Sequence, residues 1–225
     1  GSSLDQGVIT TVENQKVVGG TGYLYLNDST ASISATADTV VSGVKYAYIS
    51  GYGSLVFPQK QTLTVKLAQS SGRVFSEIFF DHGIHPANDT YSYIILPLAT
   101  RAEGKAYSEN PDTEILSNTK QIQAVREKDL GITGIVFWQA GSYAGITPDF
   151  PCTVMVKDTE NGLRIALSDP TMKVTGKHTV VLDGTYTLAG GDSRVSVSAD
   201  GGKTILTVDM TGSQGLSIGA ELARN

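Results

Sequence analysis

Phe80-Asp81-His82-Gly83-Ile84-His85-Pro86-Ala87-Asn88-Asp89-Thr90-Tyr91-Ser92-Tyr93-Ile94-Ile95-Leu96-Pro97 reads as a turn feeding a strand. Gly83 supplies backbone freedom, Pro86 a fixed φ, and Asn88 and Asp89 carry side chains that hydrogen-bond their own backbone. From Tyr91 the residues alternate, with Tyr91, Tyr93 and Ile95 on one face and Ser92, Ile94 and Leu96 on the other. Gly83 is expected in a conformation that a Cβ disfavours. Asp81 is expected to be largely buried between sheets with His82, its carboxylate accepting hydrogen bonds from nearby donors.

The same alternation continues in both directions. Short runs such as Gly22–Leu26, Ala31–Ala35, Val44–Ile49, Ser54–Phe57, Thr62–Leu67, Gly134–Trp138, Thr153–Lys157, Leu163–Ser168 and Thr204–Val208 are bounded by Gly, Asn, Asp or Ser. Asn161-Gly162 between two such runs is the strongest hairpin signal. The one stretch with a helical spacing is Asn118–Leu130, through Ile122, Val125 and Leu130. Gln121–Val125 within it reads equally as a strand, and pattern alone does not arbitrate. Many short strands with Gly-rich turns predict an all-β, antiparallel β-sandwich chain. Pro148 and Pro151 mark a break, which divides the chain into a larger sandwich over residues 1–148 and a small C-terminal sandwich over 149–225.

Composition narrows the function classes. The chain of 225 residues, 40% hydrophobic and 17% charged, has ample material for a packed core. Its formal net charge of −5 argues against nucleic acid or an anionic membrane surface as partner. It also argues against this chain being the main grip on an acidic polymer. No apolar run approaches the ~20 residues that span a bilayer. Gly1-Ser2-Ser3 does not read as a signal peptide, and the native N-terminus is expected elsewhere. Cys152, the single cysteine, opens a strand-like run and reads as a buried structural thiol with no base beside it.

Four groups of residues together resemble family 8 polysaccharide lyases, the bacterial hyaluronate, chondroitin AC and xanthan lyases. The first is the opening stretch, with Asp81-His82-Gly83, Pro86, Tyr91, Tyr93, Leu96 and Pro97 at fixed spacing. The second is the Tyr52–Pro58 strand before it. The third is the run from Tyr107 through Asn118 to Gln123-Ala124-Val125-Arg126 and Phe137-Trp138. The fourth is Leu167-Ser168-Asp169-Pro170-Thr171. The likeness covers most of residues 50–210 and is weak over the first fifty.

The resemblance implies the C-terminal β region of such an enzyme: part of a large supersandwich, incomplete at its N-terminus, followed by a smaller sandwich. It favours the strand reading of Gln121–Arg126. It implies an acidic polysaccharide as the parent enzyme's substrate, an N-terminal α/α toroid of the same protein as the partner domain, and a secreted bacterial setting. The family's catalytic Asn, His, Tyr and Arg lie on that toroid, so no residue here is carried over as catalytic. β-Elimination beside a uronate needs the carboxylate neutralised, a base for the C5 proton and an acid for the leaving oxygen.

Other candidates are weaker. His82 and His85 beside Asp81 suggest a metal, yet the turn offers too few ligands for zinc. Glu109, Asp112, Thr113 and Glu114 suggest calcium, which some family members bind in their β region, but no looped ligand series accompanies them. The expectation is no cofactor, with calcium open. Trp138, Tyr143 and Phe150 flank a polar loop and suit sugar stacking, with Trp138, at the end of an apolar strand, read as core. Tyr46, Tyr48 and Tyr52 serve as core or sugar platform. His178 opens a strand and reads as exposed. Gly19–Gly22 lacks the context of a phosphate loop. The sequons at Asn27 and Asn88 carry little meaning in a bacterial protein. A stand-alone carbohydrate-binding or surface-adhesion module is the competing reading, because a sandwich serves both roles.

Overall fold

The structure, a computed structural model, describes residues 7–14, 24–30, 38–70 and 73–225. The chain divides into two compact units, Gly1–Pro111 and Asp112–Asn225. Both are built from antiparallel strands, the all-β class expected from the alternation; among the described residues the first holds a single sheet and the second is a two-sheet β-sandwich.

In the first unit, β1 (Gly7–Asn14), β2 (Leu24–Leu26), β3 (Ser29–Thr30), β4 (Thr39–Ile49), β5 (Gly53–Ser70), β6 (Arg73–Phe80) and β7 (Ile94–Pro97) form one sheet. Its order is β1-β6-β5-β4-β2-β3, with β7 paired to β5. The separate runs Ser54–Phe57 and Thr62–Leu67 join into β5, which changes partner along its length. Gly53–Val56 pairs with β7 and Thr64–Ser70 with β6. Between them the register against β4 shifts, from Tyr46 opposite Val56 to Val44 opposite Gln61. Pro58, which has no N–H to give a ladder, falls in that bulged stretch. One face of the sheet carries a core of Leu26, Val44, Ile49, Phe57, Leu63, Val65 and Ile78.

The opposite face receives α1 (Arg101–Glu109), the helix among the described residues. The helical spacing over Asn118–Leu130 does not give a helix; that stretch is β-structure and turn, as the resemblance favours. The signal for α1 is a capping box. The Thr100 hydroxyl accepts the Glu103 N–H at 3.2 Å, and the Glu103 carboxylate accepts the Thr100 N–H at 2.7 Å. Those bonds from Thr100, its amide foremost, hold the Glu103 carboxyl below its ordinary value. Gly104 and Ser108, four apart, are the buried side of the helix.

The second unit is a two-sheet sandwich. One sheet contains β8 (Thr113–Asn118), β9 (Ile122–Glu127), β10 (Ile132–Phe137), β12 (Cys152–Thr159), β13 (Gly162–Ser168), β15 (Tyr186–Gly191) and β18 (Ile218–Arg224), ordered β15-β18-β13-β12-β10-β9-β8. The other contains β11 (Ile146–Pro148), β14 (Lys177–Asp183), β16 (Val195–Asp200) and β17 (Lys203–Asp209), ordered β11-β14-β17-β16. Phe137, Val154, Ile165 and Leu167 of the first sheet meet Val180, Leu182, Leu206 and Val208 of the second. The β12–β13 hairpin turns at Glu160-Asn161, with Thr159 opposite Gly162.

The division therefore falls between Pro111 and Asp112, not between 148 and 149. A boundary at Pro148 would cut one continuous ladder between β10, where Ile135 faces Val154, and β12. The prolines mark the crossing from one sheet of this sandwich to the other: Pro148 ends β11 and Pro151 precedes β12. The run Ala31–Ala35 lies outside the described residues.

Candidate functional site

At the turn after Phe80, the expected backbone conformation of Gly83 is present. Gly83 has φ of +70°, in the left-handed region, and its N–H donates to Asp81 Oδ1 at 2.8 Å. Burial of Asp81 does not follow. Its side chain is exposed, because the carboxylate caps its own turn two residues on and stays in water. His82 is half-buried instead, its ring among those of Phe80 and Tyr91 at centroid distances of 6.3 and 6.0 Å. His82 Nδ1 lies 3.8 Å from Asp89 Oδ2, while its Nε2 is buried without a hydrogen-bond partner. His85, at φ of +60°, is exposed, so the two histidines do not converge. The strand starts three residues later than expected, at Ile94, paired to β5 through Ile95 opposite Leu55.

Among the described residues, no three His, Cys, Asp or Glu side chains come together as a metal cage. Glu109 ends α1, Asp112 precedes β8, and Glu114 is an exposed residue on β8. Asp112 uses its backbone carbonyl to accept the Lys128 N–H at 2.9 Å. The Cys152 thiol is buried, and burial pushes its pKa up to about 12 despite a hydrogen bond with the Ser168 backbone that favours the thiolate. A thiol so placed is no nucleophile at neutral pH.

Two acidic residues do organise their surroundings. Asp169, 1% exposed, accepts four hydrogen bonds: from the Thr171 N–H and hydroxyl, both at 2.7 Å, and from the amides of Lys173 at 2.7 Å and Val174 at 2.6 Å. Burial alone would raise its pKa. The Thr171 hydroxyl and the three amides outweigh burial and hold the carboxyl below its ordinary value. Asp149 accepts the Thr179 N–H and hydroxyl at 3.1 and 2.9 Å. Its Oδ1 also lies 3.2 Å from His178 Nδ1, and His178 Nε2 lies 3.2 Å from the Thr175 carbonyl. His178 is half-buried over Phe150, at a ring distance of 4.8 Å, and not simply exposed. These are knots that fasten the sandwich.

The aromatic candidates separate. Phe150 is core, and Tyr143 packs on the core while its hydroxyl donates to the Leu116 carbonyl at 2.8 Å. Trp138, read as core from its place at the end of an apolar strand, is 48% exposed. It lies one residue past Phe137, which points inward, and successive residues of a strand face opposite sides. In the first unit, Tyr46 is buried with its hydroxyl 3.1 Å from Asp28 Oδ1, Tyr48 pairs with Tyr25 at 5.9 Å, and Tyr52 stands exposed in the β4–β5 turn. Tyr46 and Tyr48, two apart on β4 with no bulge between them, share a face, and Tyr52 lies beyond the end of the strand. Gly19–Gly22 lies outside the described residues.

A family model described as polysaccharide lyase family 8, C-terminal beta-sandwich domain matches residues 114–178. A hyaluronate lyase from Thermasporomyces composti is 26% identical over 238 residues, covering 96% of this chain and 30% of the relative. A xanthan lyase from Bacillus sp. (strain GL1) is 27% identical, covering 94% of this chain and 26% of the relative. The solved structure of Paenibacillus xanthan lyase superposes with a TM-score of 0.87 at 24% identity, covering 98% of this chain and 24% of that one. The chain thus spans less than a third of the length of these relatives. It resembles the C-terminal β-sandwich region of family 8 polysaccharide lyases.

Proposed function

We propose, on the premise of that match to the C-terminal β-sandwich region of family 8 polysaccharide lyases, that this chain is the non-catalytic β portion of such an enzyme. The parent would be a secreted bacterial lyase that cuts a uronate-containing polysaccharide by β-elimination and needs no cofactor. The observation that carries the reading is the extent of the likeness. Nearly the whole chain aligns with hyaluronate and xanthan lyases, while most of each relative has no counterpart here. The base, the acid and the group that neutralises the uronate would come from an N-terminal helical toroid. The work of these β units would be to hold that part in shape and complete the wall of its cleft. The residues that organise space here, Asp169 and the Asp149–His178 pair, fit such a scaffold, since each spends its hydrogen bonds within the sandwich.

The coding sequence upstream of Gly1 tests the reading. A helical segment of several hundred residues carrying an Asn, a His and a Tyr in its cleft is the expected find, and its absence overturns the proposal. In the matching assay, the 225-residue chain is mixed with hyaluronan, chondroitin sulfate or xanthan, and the ultraviolet absorbance of the unsaturated uronate product is followed. It should stay flat; a rise would place the chemistry in the β portion.

A further inference from the structure

The outer face of the seven-stranded sheet in the second unit has an order that the scaffold role leaves unused. Strand register sets its side chains in rows across the sheet. Asn118, Gln123, Val136, Thr153 and Ser168 are successive partners on β8, β9, β10, β12 and β13. Four of the five carry an uncharged group that both donates and accepts hydrogen bonds. The next row is Ile115, Val125, Gly134, Met155, Ala166 and Gly219, apolar throughout. Val125 and Met155 in it are 38% and 50% exposed. At neighbouring-strand spacings, the polar row is about 19 Å long.

Trp138 stands beside the polar row. Its backbone N–H bonds the Gln121 carbonyl at 3.0 Å, and its indole N–H donates to Gln123 Oε1 at 3.3 Å. The indole's one donor is thereby occupied, and the ring is oriented on the sheet.

The charge pattern chooses the occupant. Neither row holds an ionisable side chain. Charges begin one row further on, where Glu127, Lys157, Arg164 and Glu221 mix both signs around Ile132, and Arg164 and Glu221 pair at 2.9 Å. An acidic or basic peptide, or a nucleic acid, would find no counter-charge along the rows. A chain of pyranose rings matches them: hydroxyls for the amide and hydroxyl row, apolar ring faces for Trp138 and the row of Val125 and Met155. We infer that this face, with Trp138 as anchor and Gln123 and Thr153 as hydrogen-bonding partners, is a binding surface for an extended glycan recognised through hydroxyls and ring faces rather than through carboxylates. The site stands on the geometry of the sheet and not on the lyase reading.

Trp138 is the single tryptophan of the chain, so its fluorescence reports this face alone. The full chain is titrated with hexasaccharides of hyaluronan, of chondroitin and of an uncharged β-1,4-glucan, each at low and at high salt. At least one should change the emission saturably, with an affinity that moves by less than about threefold between the two salt conditions, since no ion pair is made. Trp138→Ala should keep the wild-type melting temperature and bind that polymer about tenfold more weakly in affinity electrophoresis, whereas Trp138→Tyr should retain part of the retardation. Unchanged emission with all three sugars overturns the inference, as does wild-type retardation of Trp138→Ala or binding that collapses in salt. An emission that shifts with protein concentration, together with a dimer on gel filtration, would assign the face to a second copy and overturn it too. None of these results touches the upstream coding sequence on which the lyase reading depends.

Discussion

Two aspartates show how differently one side chain behaves in a turn and in a core. Asp81 caps an exposed turn, so Asp81→Ala should cost about 0.5–1 kcal/mol, the net worth of one solvent-accessible hydrogen bond. Asp169 is buried under four donors, and Asp169→Ala leaves all four without their partner, which should cost about 3 kcal/mol in a urea titration. Equal effects at the two sites would show that burial is not what separates them. The acid limb of the stability curve carries the same distinction. The Asp169 carboxyl titrates below its unfolded value of about 3.9, so its contribution is complete above that pH and is lost as the pH falls through the lower folded value. Asp169→Asn should therefore flatten the loss of melting temperature below about pH 4, and an acid limb as steep as wild type would refute this. Gly83, at φ of +70° with open space around the missing Cβ, faces a purely conformational penalty. Gly83→Ala should lower stability by about 1 kcal/mol, while Gly83→Asn, which tolerates the left-handed region, should lose less.

The strands were legible because alternation is a local property, and nearly every described strand from β4 onward has its counterpart in a period-2 run. What escaped was set by partners far along the chain. β11, β18 and the fusion of two runs into β5 depend on which strands lie alongside, and β18 earns its place in the sheet from β13 and β15. α1 was missed for a different reason: Arg101–Glu109 carries a Gly in its middle and a weak apolar stripe, so periodicity said little. The Thr100-x-x-Glu103 capping box was there to be read. Thr100→Ala should cost about 1 kcal/mol and fray the first turn, which amide exchange at Glu103 and Gly104 would detect. Gly104 looks improvable by propensity, since Ala gains about 1 kcal/mol in a helix interior. A Cβ there, however, would collide with the Oγ and Cβ of Ser54, itself buried on β5. Gly104→Ala should therefore destabilise, and pairing it with Ser54→Gly should recover part of the loss; a more stable single variant would show that helix and sheet are free to separate. The exposure of Trp138 was legible in principle, because it follows inward-facing Phe137 by one residue, but an apolar strand end reads as core until its register is known.

At the scale of the whole chain, the position of the division is the question with the sharpest physical consequence. Prolines suggested a cut after Pro148, and such punctuation marks a bend without saying whether the chain crosses between domains or between the two sheets of one domain. Here it is the second. The segment Asp112–Asn225 holds both sheets and the core between them. Expressed alone it should melt in a single cooperative transition with dispersed amide resonances. The segment 149–225 should not. It lacks β8, β9, β10 and β11, and with them the buried side chains of Ala124, Ile135, Phe137 and Ile146, and it leaves Val154 and Cys152 on a bare edge strand. Burying a side chain such as Ile or Phe contributes about 1.5–3 kcal/mol. Removing three of these, and stripping cover from the residues they touched, consumes most of the roughly 5–15 kcal/mol that holds a domain together. A sharp melt from 149–225, matching that of Asp112–Asn225, would mean that the first three strands of the sheet are an appendage and that the boundary belongs where the prolines put it.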